Sequence, residues 1–204
     1  MSELLSGNEL CLLRGDRCLF SNLNFRLESG ALLLVEGTNG SGKTSLLRAM
    51  AGLLDFEEGS VRWHGQEVSK NYQAFRKDLV WLAHKVGFKA DLTLVENLHF
   101  ESGLRPTSTQ NLQSILQRLG LASLIELPFR VLSAGQQRRV ALARMLLADA
   151  PLWMMDEPFS NLDSAGQALV VELIAEHLTA GGLCVVASHQ GIELAAPTHR
   201  ITLQ

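Results

Sequence analysis

No stretch of this chain limits the possible folds more than the run from Leu32 to Leu54. It reads as an apolar strand (Leu32, Leu33, Leu34, Val35), then a loop Gly37-Thr38-Asn39-Gly40-Ser41-Gly42-Lys43-Thr44, then a helix from about Ser45 toward Ala51 with Leu46, Leu47 and Met50 on it. A glycine set four residues ahead of Gly42-Lys43-Thr44 is the spacing of a phosphate-binding loop, whose successive backbone N–H groups curl around an anion. Glycine is needed there because the backbone must approach the phosphates closely and take positive φ. The following helix turns its partly positive N-terminus toward the same anion. Lys43 is then expected to reach the β and γ phosphates of a nucleoside triphosphate, and the Thr44 hydroxyl to ligate Mg²⁺. A buried strand before the loop and an amphipathic helix after it are the setting the motif requires.

A length of 204 residues with 47% hydrophobic residues gives room for one sizeable packed domain, with space for an inserted subdomain. The net charge of −3 argues against a general nucleic-acid binder, which needs clustered Lys and Arg. Met1-Ser2-Glu3-Leu4-Leu5 lacks a basic segment ahead of an apolar run, so no signal peptide is expected. The longest apolar stretch, Val140 to Met155, is broken by Arg144 and Asp149, so a soluble chain is expected. Cys11, Cys18 and Cys184 have no Cys-x-x-Cys spacing and fit small side chains in a reducing cytosol. His64, His84, His99, His177 and His199 read as ordinary surface or core residues.

Short strands are predicted over Leu10 to Leu13, Cys18 to Phe20 and Asn24 to Leu27, an antiparallel region ahead of the loop. Strands follow at Ser60 to Trp63 and Leu79 to Leu82. From about Ala90 to Val131 the period turns helical, through Leu94, Leu98, Leu112, Ile115, Leu116 and Leu119, with breaks at Gly103 to Ser108 and at Pro128. This gives one domain over 1–204, in which 90–131 is a helical insertion and 1–89 with 132–204 form the core. Leu132-Ser133-Ala134-Gly135-Gln136-Gln137 opens a long helix. Ser133 suits an N-cap, and Gly135 leaves the helix start open to a second anion.

Leu152 to Met155 is a buried strand delivering Asp156-Glu157, two acids at the strand end where an open α/β sheet binds its ligand. Asp156 is expected to hold Mg²⁺ and Glu157 to polarise the water that attacks the γ-phosphate. Ser160-Asn161-Leu162-Asp163 leads into a helix over Gln167 to Leu178. A last core strand, Leu183 to Ala187, delivers Ser188-His189, where an imidazole can hydrogen-bond a phosphate oxygen and position the water. An edge strand is expected at Ile201 to Leu203.

Together these segments resemble the ATP-binding cassette (ABC) ATPase family over nearly the whole chain. Gly37 to Thr44 resembles its Walker A loop, Leu132 to Gln136 its signature motif, and Leu152 to Asp156 its Walker B strand. The resemblance implies an α/β P-loop NTPase with a RecA-like parallel core sheet, an N-terminal antiparallel β subdomain and an inserted α-helical subdomain. It makes Glu157 the catalytic carboxylate, His189 the switch histidine and Asp163 part of the D-loop. It also implies a head-to-tail pair, in which Ser133, Gly135 and Gln136 of one copy close over ATP and Mg²⁺ held by Lys43 of the other.

Within the family, the wording around Ser133, Asp156 and His189 and the Gly87 to Leu98 segment are most similar to the haem-exporter ATPase subunits of the cytochrome c maturation system. That resemblance implies permease partners in the inner membrane, a peripheral position on its cytoplasmic face, and haem handled by the partners, since no Cys-x-x-Cys-His occurs here. Two positions depart from the family pattern. Arg14 stands where an adenine-stacking aromatic is usual, and a guanidinium can stack on a base. Lys85 stands where a glutamine usually reaches Mg²⁺, and a cation there is repelled, so Lys85 is expected to turn outward or contact phosphate. Two readings stay open beside the first: an ATPase of another small exporter, and an ATP-sensing subunit that hydrolyses weakly.

Overall fold

A computed structural model describes residues 3–103, 111–148, 150–189 and 191–204. Met1-Ser2, the part of the expected break beyond Gly103, Asp149 and Gln190 lie outside these residues. The chain begins with two long strands, β1 (Glu3–Arg14) and β2 (Arg17–Glu28), where the sequence reading has three short ones. The discrepancy has a local cause. The β1–β2 ladder shifts register at several points, and Glu9 and Asn22 take φ of 49° and 52°. Asn24 satisfies the groups these bulges free: its Oδ1 accepts from Glu9 N–H at 2.9 Å and its Nδ2 donates to the Asn22 carbonyl at 2.9 Å. Bulges bend a strand without ending it, so polar residues that resemble turns sit inside continuous strands. With β4 (Glu58–Trp63) and β5 (Gln66–Glu67) these strands form an antiparallel sheet ordered β2-β1-β4-β5.

The second sheet is parallel throughout. Its members are β3 (Leu32–Gly37), β6 (Leu79–Leu82), β7 (Leu152–Asp156), β8 (Leu183–Ala187) and β9 (Thr198–Leu203), in the order β6-β7-β8-β3-β9. The edge strand starts three residues earlier than expected, because residues 198–200 complete its ladder on β3. The interior of a parallel sheet is covered on both faces, which explains why β7 and β8 are apolar at nearly every position, whereas the edge strand β9 is mostly polar. Leu32, Leu34, Trp153, Met155, Cys184 and Val186 face one core with the later helices. Leu33, Val35, Leu152, Met154, Leu183 and Val185 face the other, shared with α1 (Lys43–Met50) and the antiparallel sheet.

α2 (Tyr72–Asp78) is a short helix the sequence reading leaves out. Only Phe75 of it is buried, too sparse a stripe to show a helical period, and Trp63 Nε1 donates to Asp78 Oδ2 at 2.8 Å to hold its end. Between β6 and β7 lie α3 (Leu94–Ser102), α4 (Leu112–Arg118), 3₁₀ turns at Ala122–Leu124 and Phe129–Val131, and then α5 (Ala134–Leu147). Reciprocal bonds between Thr93 and Glu96 start α3 as a capping box. Asn97, buried in the same helix, exchanges hydrogen bonds with both the N–H and the carbonyl of Lys89 and so fastens the loop after β6. No described helix is long and apolar enough to cross a membrane.

α6 (Ser164–Thr179) packs on this sheet through His177, whose ring stacks on Trp153 at 4.1 Å and 10°. Its Nε2 lies 3.1 Å from the Leu183 carbonyl and 3.2 Å from that of Pro151. Burial holds the imidazole pKa below its ordinary value, and the two carbonyls oppose this. The unfolded chain therefore binds this proton first, and stability is lost as pH falls below about 6.5. Urea unfolding at about pH 5.5 and pH 7.5 should show that loss in the native chain, and His177→Phe, which has no titrating ring, should lose less between the two.

Candidate functional site

The loop after β3 is shaped by its glycines. Gly40 and Gly42 take φ of 86° and 104°, a left-handed backbone that L side chains rarely adopt. Gly42 precedes α1, so Lys43 and Thr44 stand on the first helical turn, two residues earlier than the sequence reading starts the helix. Lys43 is buried, and its Nζ donates to the carbonyls of Gly37 at 2.7 Å and Thr38 at 3.2 Å. It also lies 3.6 Å from Glu157 Oε1. The loop borders a cleft of about 350 Å³ lined by Arg14, Leu19, Asn39, Gly40, Gly42, Lys43, Thr44, Ser45, His84, Asp156 and Glu157.

The acids arrive from β7. Asp156 is 2% exposed and accepts from the Thr44 hydroxyl at 2.9 Å. Burial raises its pKa above the ordinary carboxylate value, and the Thr44 hydrogen bond and the nearby His84 pull it back in part. Glu157 takes φ 49°, a strained conformation for this residue type, while its N–H donates to the Ala187 carbonyl at 2.8 Å. That turn swings its carboxylate between Lys43 and His189, whose Nδ1 lies 2.8 Å from Glu157 Oε2. Loop, acid and imidazole thus meet at one place, carried by β3, β7 and β8.

Beneath them lies Arg138, buried at 3% exposure and donating to the carbonyls of Ala83, Asp156, Glu157 and Pro158. Burial lowers its pKa to about 10, with the charges of Asp156 and Glu157 opposing, so it stays a cation at neutral pH.

Ser133, Gly135, Gln136 and Asp163 are not among the residues lining this cleft. Ser133 caps α5 in a reciprocal box with Gln136, at 3.2 and 2.8 Å, as its sequence position predicts. A Cβ on Gly135 would come 2.9 Å from the Asn161 carbonyl. Asp163 caps α6 through the Gly166 N–H at 2.8 Å. Arg14 does line the cleft, whereas Lys85 is exposed and does not.

The sequence reading misses His84, which it treats as ordinary and which the structure puts on the cleft wall near Asp156. A signal was available, because His84 stands two residues beyond the end of β6, whose neighbour β7 carries the acids. Leu19 and Ser45 are missed for want of any distinguishing chemistry. Arg138 lies in the long helix that opens at Ser133, and no role is read for it from the sequence.

The donor set suits a triphosphate with a hard cation. Among the described residues the buried Ser41 hydroxyl has no hydrogen-bond partner, and it sits in a loop open at Gly40, where a Cβ would meet nothing within 4 Å. The Thr44 hydroxyl and Asp156 carboxylate lie in contact, and oxygen donors of this kind are those Mg²⁺ takes, with phosphates completing its shell.

The ABC transporter family profile matches residues 20–160. A cytochrome c biogenesis ATP-binding export protein CcmA from Vibrio parahaemolyticus is 41% identical over 199 residues, 97% of each chain. Proteins of the same name from Methylococcus capsulatus and Nitrosospira multiformis are 44% and 45% identical over 193 residues, 94% of this chain and 93% and 94% of theirs. A solved putative ABC transporter ATP-binding protein from Pyrococcus furiosus superposes with a TM-score of 0.84 at 21% identity, covering 98% of this chain and 97% of that one.

The raised Asp156 pKa has a stability consequence. The folded chain holds this proton to a higher pH than the unfolded one, so stability falls as pH rises from about 3.9 through the folded value. Asp156→Asn keeps an acceptor for Thr44 and removes that loss. Its nucleotide-free melting temperature at pH 7 should exceed that of the native chain, as thermal denaturation will read.

Proposed function

The chain belongs to the ABC transporter family, and we propose that it is the ATP-hydrolysing subunit of an export system serving cytochrome c biogenesis. The observation that carries the hydrolytic part is the contact of Glu157 with both Lys43 and His189 at the mouth of the phosphate loop. A carboxylate held between a cation and an imidazole, beside a cradle of backbone N–H groups, suits the activation of water against a phosphoanhydride.

In this reading the amides of Gly37, Thr38, Asn39, Gly40, Ser41, Gly42, Lys43 and Thr44 surround the phosphates, and the Lys43 ammonium moves from the loop carbonyls to the β and γ oxygens. Arg14 lies against the base. Thr44 and Asp156 hold Mg²⁺, which would neutralise phosphate charge. Glu157 takes a proton from the attacking water, and His189 fixes the Glu157 carboxylate and bonds a γ oxygen. The exposed position of Lys85, outside the cleft lining, keeps its charge away from Asp156 and supports hydrolysis over mere sensing.

Ser133, Gly135, Gln136 and Asp163 serve a second copy. They stand at helix N-termini, where donors favour an anion, and outside the cleft of their own chain. An ATP-bridged pair would use all of them. The division into a core (1–89 and 132–204) and a helical part (90–131) belongs to the same proposal, as do permease partners in the inner membrane and a peripheral place on its cytoplasmic face. The names of the most similar relatives support cytochrome c biogenesis as the setting. Haem is the proposed cargo, handled by those partners without contact to this chain.

Lys43→Ala should weaken ATP binding by about tenfold or more, through loss of a charge-assisted contact. Glu157→Gln should retain ATP, lower turnover by about 100-fold or more, and accumulate as an ATP-bound pair in size-exclusion chromatography. Turnover by Glu157→Gln equal to the native chain rules out the hydrolytic reading. The identity of the membrane subunits that co-purify decides the export system.

A further inference from the structure

Arg138 stands just over one turn into α5, the helix that begins at the Ser133 cap. Its guanidinium donates through Nη1 to the Ala83 carbonyl at 2.7 Å, at the end of β6. Through Nη2 it reaches the carbonyls of Asp156 at 2.8 Å and Glu157 at 2.5 Å, and through Nε that of Pro158 at 3.2 Å. These acceptors are backbone oxygens. A cation buried on carbonyls supplies geometry, since a planar fork of five donors fixes several acceptors at once.

The geometry matters because of what lies between those carbonyls. Glu157 is in the left-handed region, which is strained for an L residue and persists only where the surroundings over-determine it. The Ala187 carbonyl pins its N–H, and Arg138 pins its carbonyl and those on either side. Released from this grip, the backbone at Glu157 relaxes toward negative φ, and its carboxylate leaves Lys43 and His189. The same helix comes close to this turn at a second point. Asn161, also left-handed at φ 64°, brings its carbonyl to within 2.9 Å of where a Gly135 Cβ would stand.

We propose that Arg138 is a positioning residue for the hydrolytic step: its guanidinium fixes the strained backbone of Glu157, aims that carboxylate into the cleft, and ties its aim to the α5 turn bearing Ser133 and Gly135. This rests on the hydrolytic role given to Glu157 above. Arg138 donates to Ala83, Asp156, Glu157 and Pro158 and to no carbonyl of the phosphate loop, so cutting the linkage lowers the catalytic constant far more than it lowers ATP binding.

The test compares the full chain, in the complex it co-purifies with, as native protein, Arg138→Met, Arg138→Lys and Glu157→Gln. Misplacing the carboxylate by about an ångström should lower kcat about 100-fold in Arg138→Met, with the dissociation constant for ATP changed less than about threefold. Arg138→Lys keeps the charge and loses the fork, and should recover about tenfold of that loss. Added to Glu157→Gln, it should lower turnover no further, as expected of residues acting as a unit.

A kcat for Arg138→Lys within twofold of native overturns the proposal. So does a fall in ATP affinity that matches the fall in kcat, the mark of a merely structural role. If Arg138→Met does not fold, Arg138→Lys decides alone. Native turnover by Glu157→Gln sinks the hydrolytic reading itself, whereas an inert Glu157→Gln beside an unimpaired Arg138→Lys sinks only the role given to Arg138.

Discussion

Everything at the site depends on the register of three neighbouring parallel strands. In the ladder Val35 lies opposite Ala187, and Ala187 lies opposite Asp156. The phosphate loop begins two residues beyond Val35, the imidazole of His189 stands two beyond Ala187, and the second acid follows one beyond Asp156. A slip of one strand by one residue would turn every side chain on it to the other face and separate these groups. The register is secured by apolar residues buried on both faces of β3, β7 and β8, so packing far from the cleft holds the polar groups at its edge.

Stability is sacrificed at that edge. Asp156 is buried with its charge partly uncompensated, Glu157 keeps a left-handed backbone, and Arg138 carries a full charge into the interior. Each costs folding free energy, and all three lie within a few residues of the cleft. The surrounding structure offsets them with hydrogen bonds to backbone groups and with two apolar cores. Concentrated strain of this kind is what an arrangement preorganised for charge looks like before its ligand arrives.

A second level of order joins distant parts of the chain. α5 grips the end of β6 through Arg138 and Arg144, the latter donating to the Trp81 carbonyl at 2.8 Å while lying over the Phe88 ring. Asn97 ties Lys89 to α3. The segment from Trp81 to Lys89 is thus held by helices on one side and borders the cleft at His84 on the other. These bonds fix the position of the cleft wall at His84 relative to α3 and α5.

Amino-acid order alone determined the glycine-rich loop, the acid pair and the capped helix at Ser133, while the parallel core sheet was implied by the resemblance to a family. Each of the first three is a short-range pattern: spacing of glycines, period of apolar residues, or a cap chemistry complete within four positions. It left β1 and β2 in pieces, because bulges stabilised by Asn24 come from a residue fifteen positions from Glu9. It passed over α2, which has one buried residue, took His84 for an ordinary surface or core residue, and gave Arg138 no role. Their importance lies in which backbone they approach, and only the packing of α5 against β6 and β7 decides that. Tertiary structure likewise decided that Lys85 is left out of the cleft lining and that Glu157 reaches Lys43 through a left-handed turn, since neither the membership of a cleft nor a strained φ held by distant carbonyls is encoded by a residue's neighbours in the chain.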